Sequence, residues 1–192
     1  MMVFLILAPY GAFSFLMLVT SAAISVFVSA AVCLAVIAID IYNGRSIKIL
    51  GTGSVIAFVA IGAYVTLVDP SLSNSAVKFS VDTAIFLISL LSMLLRYPFT
   101  LQYALEVVDP ETAKLAGFVR ANYVLTGAWT AASLLMMAGN AAMIYIPGLP
   151  FWVGLLVAFA VRNITAYFTQ WYPQYRRAKY GTPPSNALRG TH

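Results

Sequence analysis

Charged residues are scarce in this chain, and their scarcity excludes a water-soluble fold. Only 9% of the 192 residues are charged, whereas 61% are hydrophobic, and the mean hydropathy is +0.89. A soluble domain carries about 25% charged and about 45–50% apolar residues, because water must wet its surface. The composition therefore predicts an integral membrane protein. At about 20 residues per crossing helix plus short loops, the length suits one all-α domain of about six spans.

Cysteine and histidine are almost absent, which removes most metal and redox chemistry. The single cysteine, Cys33, excludes internal disulfides and cysteine-based metal clusters, and the single histidine, His192, is the last residue. No HExxH or CxxC motif occurs, so zinc and haem have no evident ligand set. We therefore expect no cofactor, no metal site and no enzymatic activity. The first residues, MMVFLILAPYGAF, lack a basic leader, so no cleavable signal peptide is expected.

Apolar runs of about 18 or more residues mark the membrane spans. They lie at residues 3–20, 22–42, 51–68, 80–96, 121–145 and 151–172, and Pro9 interrupts the first, which can therefore tilt, kink or re-enter. Lysine and arginine are concentrated after the second, fourth and sixth spans. By the positive-inside rule, these connections and both termini face the cytoplasm. The sequence thus predicts three transmembrane hairpins within residues 1–175 and a basic, flexible tail over residues 176–192.

The long connection after the fourth span contains a helix start. Asp109, Pro110 and Glu111 are typical of an N-cap, a proline in the first helical position and an acidic first turn. We expect a helix to begin there and to run into the fifth span. The preceding residues 99–108 are expected to lie at the membrane surface, and their pattern favours neither helix nor extended chain.

Basic and aromatic residues follow the last span in WYPQYRRAKYGTPPSNALRGTH. Such a segment suits attraction to anionic lipid headgroups, at about 1 kcal/mol per basic residue near the surface. Nucleic acid is not expected as a partner, because the basic residues lie where membrane topology requires them. The expected partners are the bilayer, its anionic headgroups, and other membrane proteins or a second copy of this chain.

Arg162 interrupts the apolar run of the last span, FWVGLLVAFAVRNITAYFTQWY. Trp152 and Trp171 bracket this run, and at about 1.5 Å per residue their separation of about 28 Å matches the hydrocarbon thickness of about 30 Å. Because tryptophan favours both membrane interfaces, Arg162 is predicted near the midplane. A guanidinium at that depth costs at least about 2.5 kcal/mol unless it finds a partner. Arg162 should therefore face the interior of the bundle.

Other polar residues form stripes that share this interior. Thr165, Thr169 and Gln170 follow Arg162 at helical spacing, and further stripes run along the second, fourth and fifth spans: Ser25, Ser29 and Asp40; Asp82, Ser89, Ser92 and Arg96; Asn122, Thr126, Thr130, Ser133 and Asn140. Packing is the favoured role of the serines and threonines, since small polar residues commonly line helix contacts in membranes.

For Arg162, a structural role and a solute-binding role stay equally open. Asp82, Asp40, the amides of Asn122 and Asn140, or freed backbone carbonyls are the candidate partners of its guanidinium. The candidate polar interior or solute site consists of seven residues: Asp40, Asp82, Asn122, Asn140, Arg162, Thr165 and Thr169.

The order of several short segments resembles a known family. NGRSIK is followed by a span, then AVKFSVDTAIFLISLL, RYPF, GAWTAASLLMMAGNAAMIY and a last span that ends with tyrosine and arginine. Over residues 30 to 178 this order is similar to the intracellular septation protein A family of bacterial inner-membrane proteins, carried chiefly by Lys78, Pro98, Trp129 and Asn140. The loop after the fourth span is longer here. The resemblance implies a multi-pass inner-membrane protein that supports envelope upkeep and division through partners, with no catalytic residue.

Three hypotheses for function follow. The first is a non-catalytic inner-membrane protein that acts by association with membrane partners, in cell-envelope maintenance or division. The second is a small transporter or channel subunit that binds a polar or anionic solute at Arg162 and works as a homodimer. The third is an accessory subunit of a larger respiratory or photosynthetic complex.

Overall fold

The protein is an all-α membrane-spanning bundle, as predicted. The computed structural model describes residues 2–146, 148, 149 and 151–180. These residues contain no strand, and their helices are α1 (Met2–Val19), α2 (Ala22–Tyr42), α3 (Ile49–Leu67), α4 (Asn74–Leu94), α5 (Phe99–Ala104), α6 (Pro110–Lys114), α7 (Ala116–Tyr145) and α8 (Phe151–Tyr180). Helices α2, α3, α4, α7 and α8 are long and apolar enough to cross a membrane, and Ala8–Val19 of α1 forms a shorter apolar helix.

Polar side chains start several of these helices. Ser21 and Ser73 accept hydrogen bonds from the backbone N–H groups of Ile24 and Ala76 at the starts of α2 and α4. Such caps satisfy donors that have no partner within the helix. Asp109 caps α6 in the same way, because the hydroxyl and backbone N–H of Thr112 both donate to its carboxylate. These hydrogen bonds hold the pKa of Asp109 below its usual range.

The long helices pack in the order of the chain. Extensive contacts join α1 to α2, α2 to α3, α3 to α4, α4 to α7 and α7 to α8, and α5 also packs on α7. Among the described residues, α1 and α8 share no extensive contact; the hydrogen bonds between them are those that Arg162 makes to Tyr10 and Ser14. The bundle therefore has one loosely packed boundary, which we call the α1–α8 seam.

The two ends of the bundle differ in charge. One end carries the α2–α3 connection, the region of α5 and α6, and the last turns of α8. Most of the lysine and arginine residues that lie in connections or at helix ends are at this end. We call it the basic end. The opposite end carries the α1–α2 and α3–α4 connections. Because neighbouring long helices run antiparallel, α1, α3 and α7 begin at the basic end.

Several helix limits differ from the predicted spans. Helix α4 begins at Asn74 instead of 80, because Ser73 caps it, and α7 begins at Ala116 instead of 121. Helix α8 continues through Pro173 to Tyr180, so the expected start of the tail at residue 176 falls inside the helix. The remainder of that tail, 181–192, lies outside the described residues.

One expectation for the long connection was wrong. The helix that starts at Asp109 ends at Lys114, and Leu115 is extended with φ −67° and ψ 123°, so α6 does not continue into α7. Residues 99–104 form the helix α5, whose Phe99 and Leu101 are buried against the other helices; their position at the membrane surface stays a prediction. Helix α5 is held inside because the Thr100 hydroxyl donates to the Asn122 carbonyl of α7 at 2.8 Å.

Candidate solute site at Arg162

A cavity of about 300 Å³ lies inside the bundle and is partly open to its surroundings. Its lining comes from α1, α3, α4, α5, α7 and α8 and is almost entirely apolar. Along α7 it extends from Asn122 to Met136, about 21 Å at about 1.5 Å per residue. Ligand cavities in proteins begin at about this volume and combine apolar walls with a few placed polar groups.

Arg162 supplies the cation of this cavity. Arg162 is one of the lining residues, and its guanidinium donates to the Ser14 hydroxyl at 2.5 Å and, at the long distance of 3.5 Å, to the Tyr10 carbonyl. Both acceptors belong to α1, so the side chain crosses the α1–α8 seam. A guanidinium has five N–H donors. No carboxylate of the described residues lies within ion-pair distance of it.

Asp82 interacts with Arg162 electrostatically without touching it. Its carboxylate is buried and accepts a hydrogen bond of 2.7 Å from the Asn140 amide of α7. The contacts of Trp129 with Thr169 and of Gly139 with Val157 place Arg162 beside Met136. Asn140 is one turn, or about 6 Å, further toward the opposite end. Asp82 and Arg162 thus lie at adjacent levels of the bundle and form no ion pair.

Ser89 is a polar group in the cavity wall that the fold leaves without a partner. Its side chain is fully buried, and its hydroxyl makes no hydrogen bond. An unsatisfied buried hydroxyl costs about 1–3 kcal/mol, which is unusual enough in a protein to require an explanation. Ser89 is also close to the cavity, but its hydroxyl is fully enclosed by protein atoms.

Trp129 and Thr169 join α7 to α8 below Arg162. The indole Nε1 donates to the Thr169 hydroxyl at 3.0 Å, and that hydroxyl donates to the Thr165 carbonyl at 2.8 Å. Both Trp129 and Thr169 line the cavity. The Thr165 hydroxyl is buried and bonds to its own helix at the Val161 carbonyl, so Thr165 contributes to packing.

The structure brings most, but not all, of the predicted polar residues into the interior. Asn122 and Asn140 are buried, and the polar residues of α2, α4 and α7 that are also buried are Ser25, Ser29, Asp40, Asp82, Ser89, Ser92, Thr126 and Ser133. Thr130 is half-buried. Gln170 and Arg96 are exposed, so their place in the stripes was wrong. Gln170 follows Thr169 directly and therefore points about 100° away from it around α8.

Asp40 is not a partner of Arg162. It lies at the basic end of α2, where its carboxylate pairs with Lys48 at 2.9 Å and with Arg45 at 3.3 Å. Lys48 also pairs with Glu106 at 2.8 Å. These four residues form what we call the basic-end cluster. Arg45 and Lys48 of the α2–α3 connection both pair with Asp40, so its assignment to the Arg162 site was wrong.

The sequence did not predict the basic-end cluster, because Glu106 lies in a different connection, 58 positions after Lys48. Glu106 accepts hydrogen bonds from the backbone N–H and hydroxyl of Ser46, both at 3.1 Å. Gln102 of α5 accepts a hydrogen bond from the Ile49 N–H at 2.8 Å, at the start of α3. The cluster therefore fastens α5 and its following loop onto the α2–α3 connection, directly below the cavity.

The described residues contain no group of three or more histidine, cysteine, aspartate or glutamate side chains that could hold a metal ion. No family model, no curated protein and no solved structure matches this chain. The arrangement at Arg162 is therefore interpreted from its own chemistry. Arg162 is the charged residue of the cavity lining, its guanidinium has no carboxylate at ion-pair distance among the described residues, and the remaining wall is almost entirely apolar.

Proposed function

We propose that this multi-pass membrane protein binds a small anionic solute in its central cavity and works as a small transporter or transporter subunit. One observation carries the proposal: Arg162 lines a cavity in the middle of the bundle, and its guanidinium has no carboxylate at ion-pair distance among the described residues. Intramembrane charges are costly, and where they persist they commonly mark substrate or ion pathways.

The charges near the cavity favour an anion over a cation. Arg162 is the only charged residue in the described lining of the cavity. Arginine is well suited to carboxylates and phosphates because its planar fork donates two parallel hydrogen bonds. A bound carboxylate would therefore add a charge-assisted pair to the hydrogen bonds that the guanidinium makes to α1.

Association with membrane partners in envelope upkeep or division is the competing proposal, and so is an accessory role in a larger complex. Both rest on the sequence, as do the septation protein A resemblance and the bacterial inner membrane as location, and they stay predictions. Neither gives a role to a cavity with a cation in its wall, so we rank solute binding first.

The proposal is tested by ligand-induced stabilisation in lipid nanodiscs. Carboxylates of increasing apolar size are compared with their uncharged amides by the shift in unfolding midpoint, since a ligand that binds the folded state raises it. We expect the carboxylates to stabilise the protein and the amides to have little effect. Arg162→Gln should weaken carboxylate binding about ten- to hundredfold, because hydrogen bonds to charged groups contribute about 1.5–3 kcal/mol.

Arg96→Gln is the matched control, because Arg96 is an exposed arginine at the basic end and its replacement should leave binding unchanged. Equal stabilisation by acids and amides would overturn the proposal. So would equal binding by the Arg162→Gln and wild-type proteins. A change of binding in Arg96→Gln would show that surface charge, and not the cavity, attracts the anion.

A further inference from the structure

The shape of the cavity adds a second requirement to the ligand. Arg162 lies at the Met136 end, and the cavity continues from there toward the basic end, past Trp129 to Phe99 and Tyr103. Thr169, which holds the Trp129 indole, is seven positions after Arg162 in α8 and therefore about 10 Å away along the helix. The cation is thus at one end of an elongated space, and the walls of the rest are nearly all apolar.

Such a distribution does not fit a compact polar anion. A small carboxylate at Arg162 would leave the long apolar part empty or filled with water that finds few hydrogen-bonding partners, and buried water needs about two to four of them. An apolar chain fills the same space with favourable burial, at about 0.8 kcal/mol per methylene group in general. The geometry therefore requires a ligand with a charged head and an elongated apolar body.

The volume limits the body to one chain. At about 300 Å³ the cavity is at the lower limit of the usual range for small-molecule sites, which is about 300–1,000 Å³. A phospholipid with two acyl chains exceeds such a space. A single-chain acid also partitions into lipid bilayers, so a partly open cavity in a membrane protein can take it up from the surrounding lipid.

We propose that the ligand of the central cavity is a single-chain lipid acid of the fatty-acid class, with its carboxylate at Arg162 and its hydrocarbon chain extending past Trp129 toward the basic end. This inference rests on the proposed function, because it names the chemical class of the anion bound at the same site.

Trp129 gives a direct test, because it is the only one of the three tryptophans that lines the cavity. Trp152 and Trp171 are exposed, and replacing both by phenylalanine leaves Trp129 as the single indole fluorophore. Nanodiscs containing this protein are titrated with hexadecanoic acid brominated at the middle of its chain, at alkaline pH. Bromine quenches indole fluorescence only at close range, so it reports the position of the chain.

We expect saturable quenching that excess unbrominated hexadecanoate reverses. The matching brominated alcohol, which has no charge, should need at least tenfold higher concentration, and Arg162→Gln should weaken the acid by a similar factor. If the alcohol quenches at the same concentration as the acid in the protein that keeps Arg162, the proposal is overturned. This comparison holds even if the Arg162→Gln variant fails to fold. Phospholipids with brominated chains give the background from bilayer lipid.

The outcome separates this inference from the proposed function. If acetate and other short carboxylates stabilise the protein through Arg162 but long-chain acids neither compete with them nor quench Trp129, the solute site stands and the lipid-acid inference fails. If acids and their amides or alcohols bind equally, both fail. If quenching does not saturate or matches that from brominated phospholipid, the chain lies in the bilayer and the inference fails.

Discussion

Lys48 shows how one side chain can hold a polar cluster below an apolar cavity. Only 3% of its surface is exposed, yet its ammonium group pairs with Asp40 and Glu106 and donates to the Ser46 carbonyl at 2.9 Å. It also lies 5.4 Å from the centre of the Tyr103 ring, and Tyr103 lines the cavity. Removing this cation would leave two buried carboxylates with only Arg45 nearby.

We therefore predict that Lys48→Met destabilises the protein strongly. Breaking a buried ion pair by removing one partner costs about 3–5 kcal/mol, because the remaining charge is uncompensated. The expected result is a clear fall in the unfolding midpoint in nanodiscs, followed by intrinsic fluorescence. Glu106→Gln in the Lys48→Met background should restore part of the loss, since it removes one of the two uncompensated charges.

Lys114→Met is the matched control for this prediction. Lys114 pairs with Glu111 at 2.9 Å, but both side chains are more than 70% exposed. Surface pairs of this kind contribute about 0.2–1 kcal/mol, so the midpoint should hardly move. Equal losses in Lys48→Met and Lys114→Met would mean that the basic-end cluster does not stabilise the fold.

At the scale of the helix, small residues set how closely neighbours approach. An added Cβ at Gly53 of α3 would lie 2.8 Å from Cδ1, 2.9 Å from Cγ1 and 3.3 Å from Cγ2 of Ile88 on α4. Because three carbons of one branched side chain are involved, a rotation of Ile88 cannot relieve all of these contacts. Close approach through small residues is a general device of helix packing in membranes.

We predict that Gly53→Ala lowers the unfolding midpoint, because overpacking a close contact typically costs about 1–3 kcal/mol. Ile88→Val in the same chain removes Cδ1 and should restore part of the loss. Gly11→Ala is the control: nothing lies within 4 Å of its added Cβ, and alanine in a helix gains about 0.5–1 kcal/mol over glycine. A loss in Gly11→Ala as large as that in Gly53→Ala would contradict the explanation.

The long helices were predictable, and the short ones were not. Continuous apolar runs identified the membrane-crossing helices because the bilayer requires about 20 apolar residues per crossing. Whether residues 99–104 are helical depends on contacts from Thr100 to Asn122 and Thr126 on α7, which are far apart in sequence. The break at Leu115 likewise has no local signal, since Glu111, Lys114 and Ala116 are all good helix formers.

The sequence indicated which way the polar side chains of the site point, but it did not indicate which residues they contact. The cost of a charge at depth favoured an inward Arg162, whose guanidinium hydrogen-bonds to α1 in the structure, and Asp82, Asn122 and Asn140, chosen by helical spacing, are buried. Ser14 was missed because it stands alone in an apolar run of α1, and its contact with Arg162 spans 148 positions. The cavity itself is formed where six helices meet, so the sequence of any single helix does not predict it.

At the scale of the whole molecule, the basic end gives the bundle an orientation. Arg45, Lys48, Arg96, Lys114 and Arg120 all belong to the connections or helix ends of that side. Lysine and arginine in short loops are retained on the cytoplasmic side during insertion. The basic end is therefore expected to face the cytoplasm. In that orientation the apolar part of the cavity extends from Arg162 toward the cytoplasmic side, and Asp82 lies toward the opposite side of the membrane.

Cysteine labelling tests this orientation. Cys33 is only 2% exposed, so a bulky, membrane-impermeant maleimide should not modify the native chain. Ser71 and Glu111 are exposed at the opposite and basic ends. In spheroplasts, Ser71→Cys should be labelled directly, whereas Glu111→Cys should be labelled only after permeabilisation. The reverse pattern would place the basic end outside, and equal labelling of both would mean that the chain inserts in two orientations.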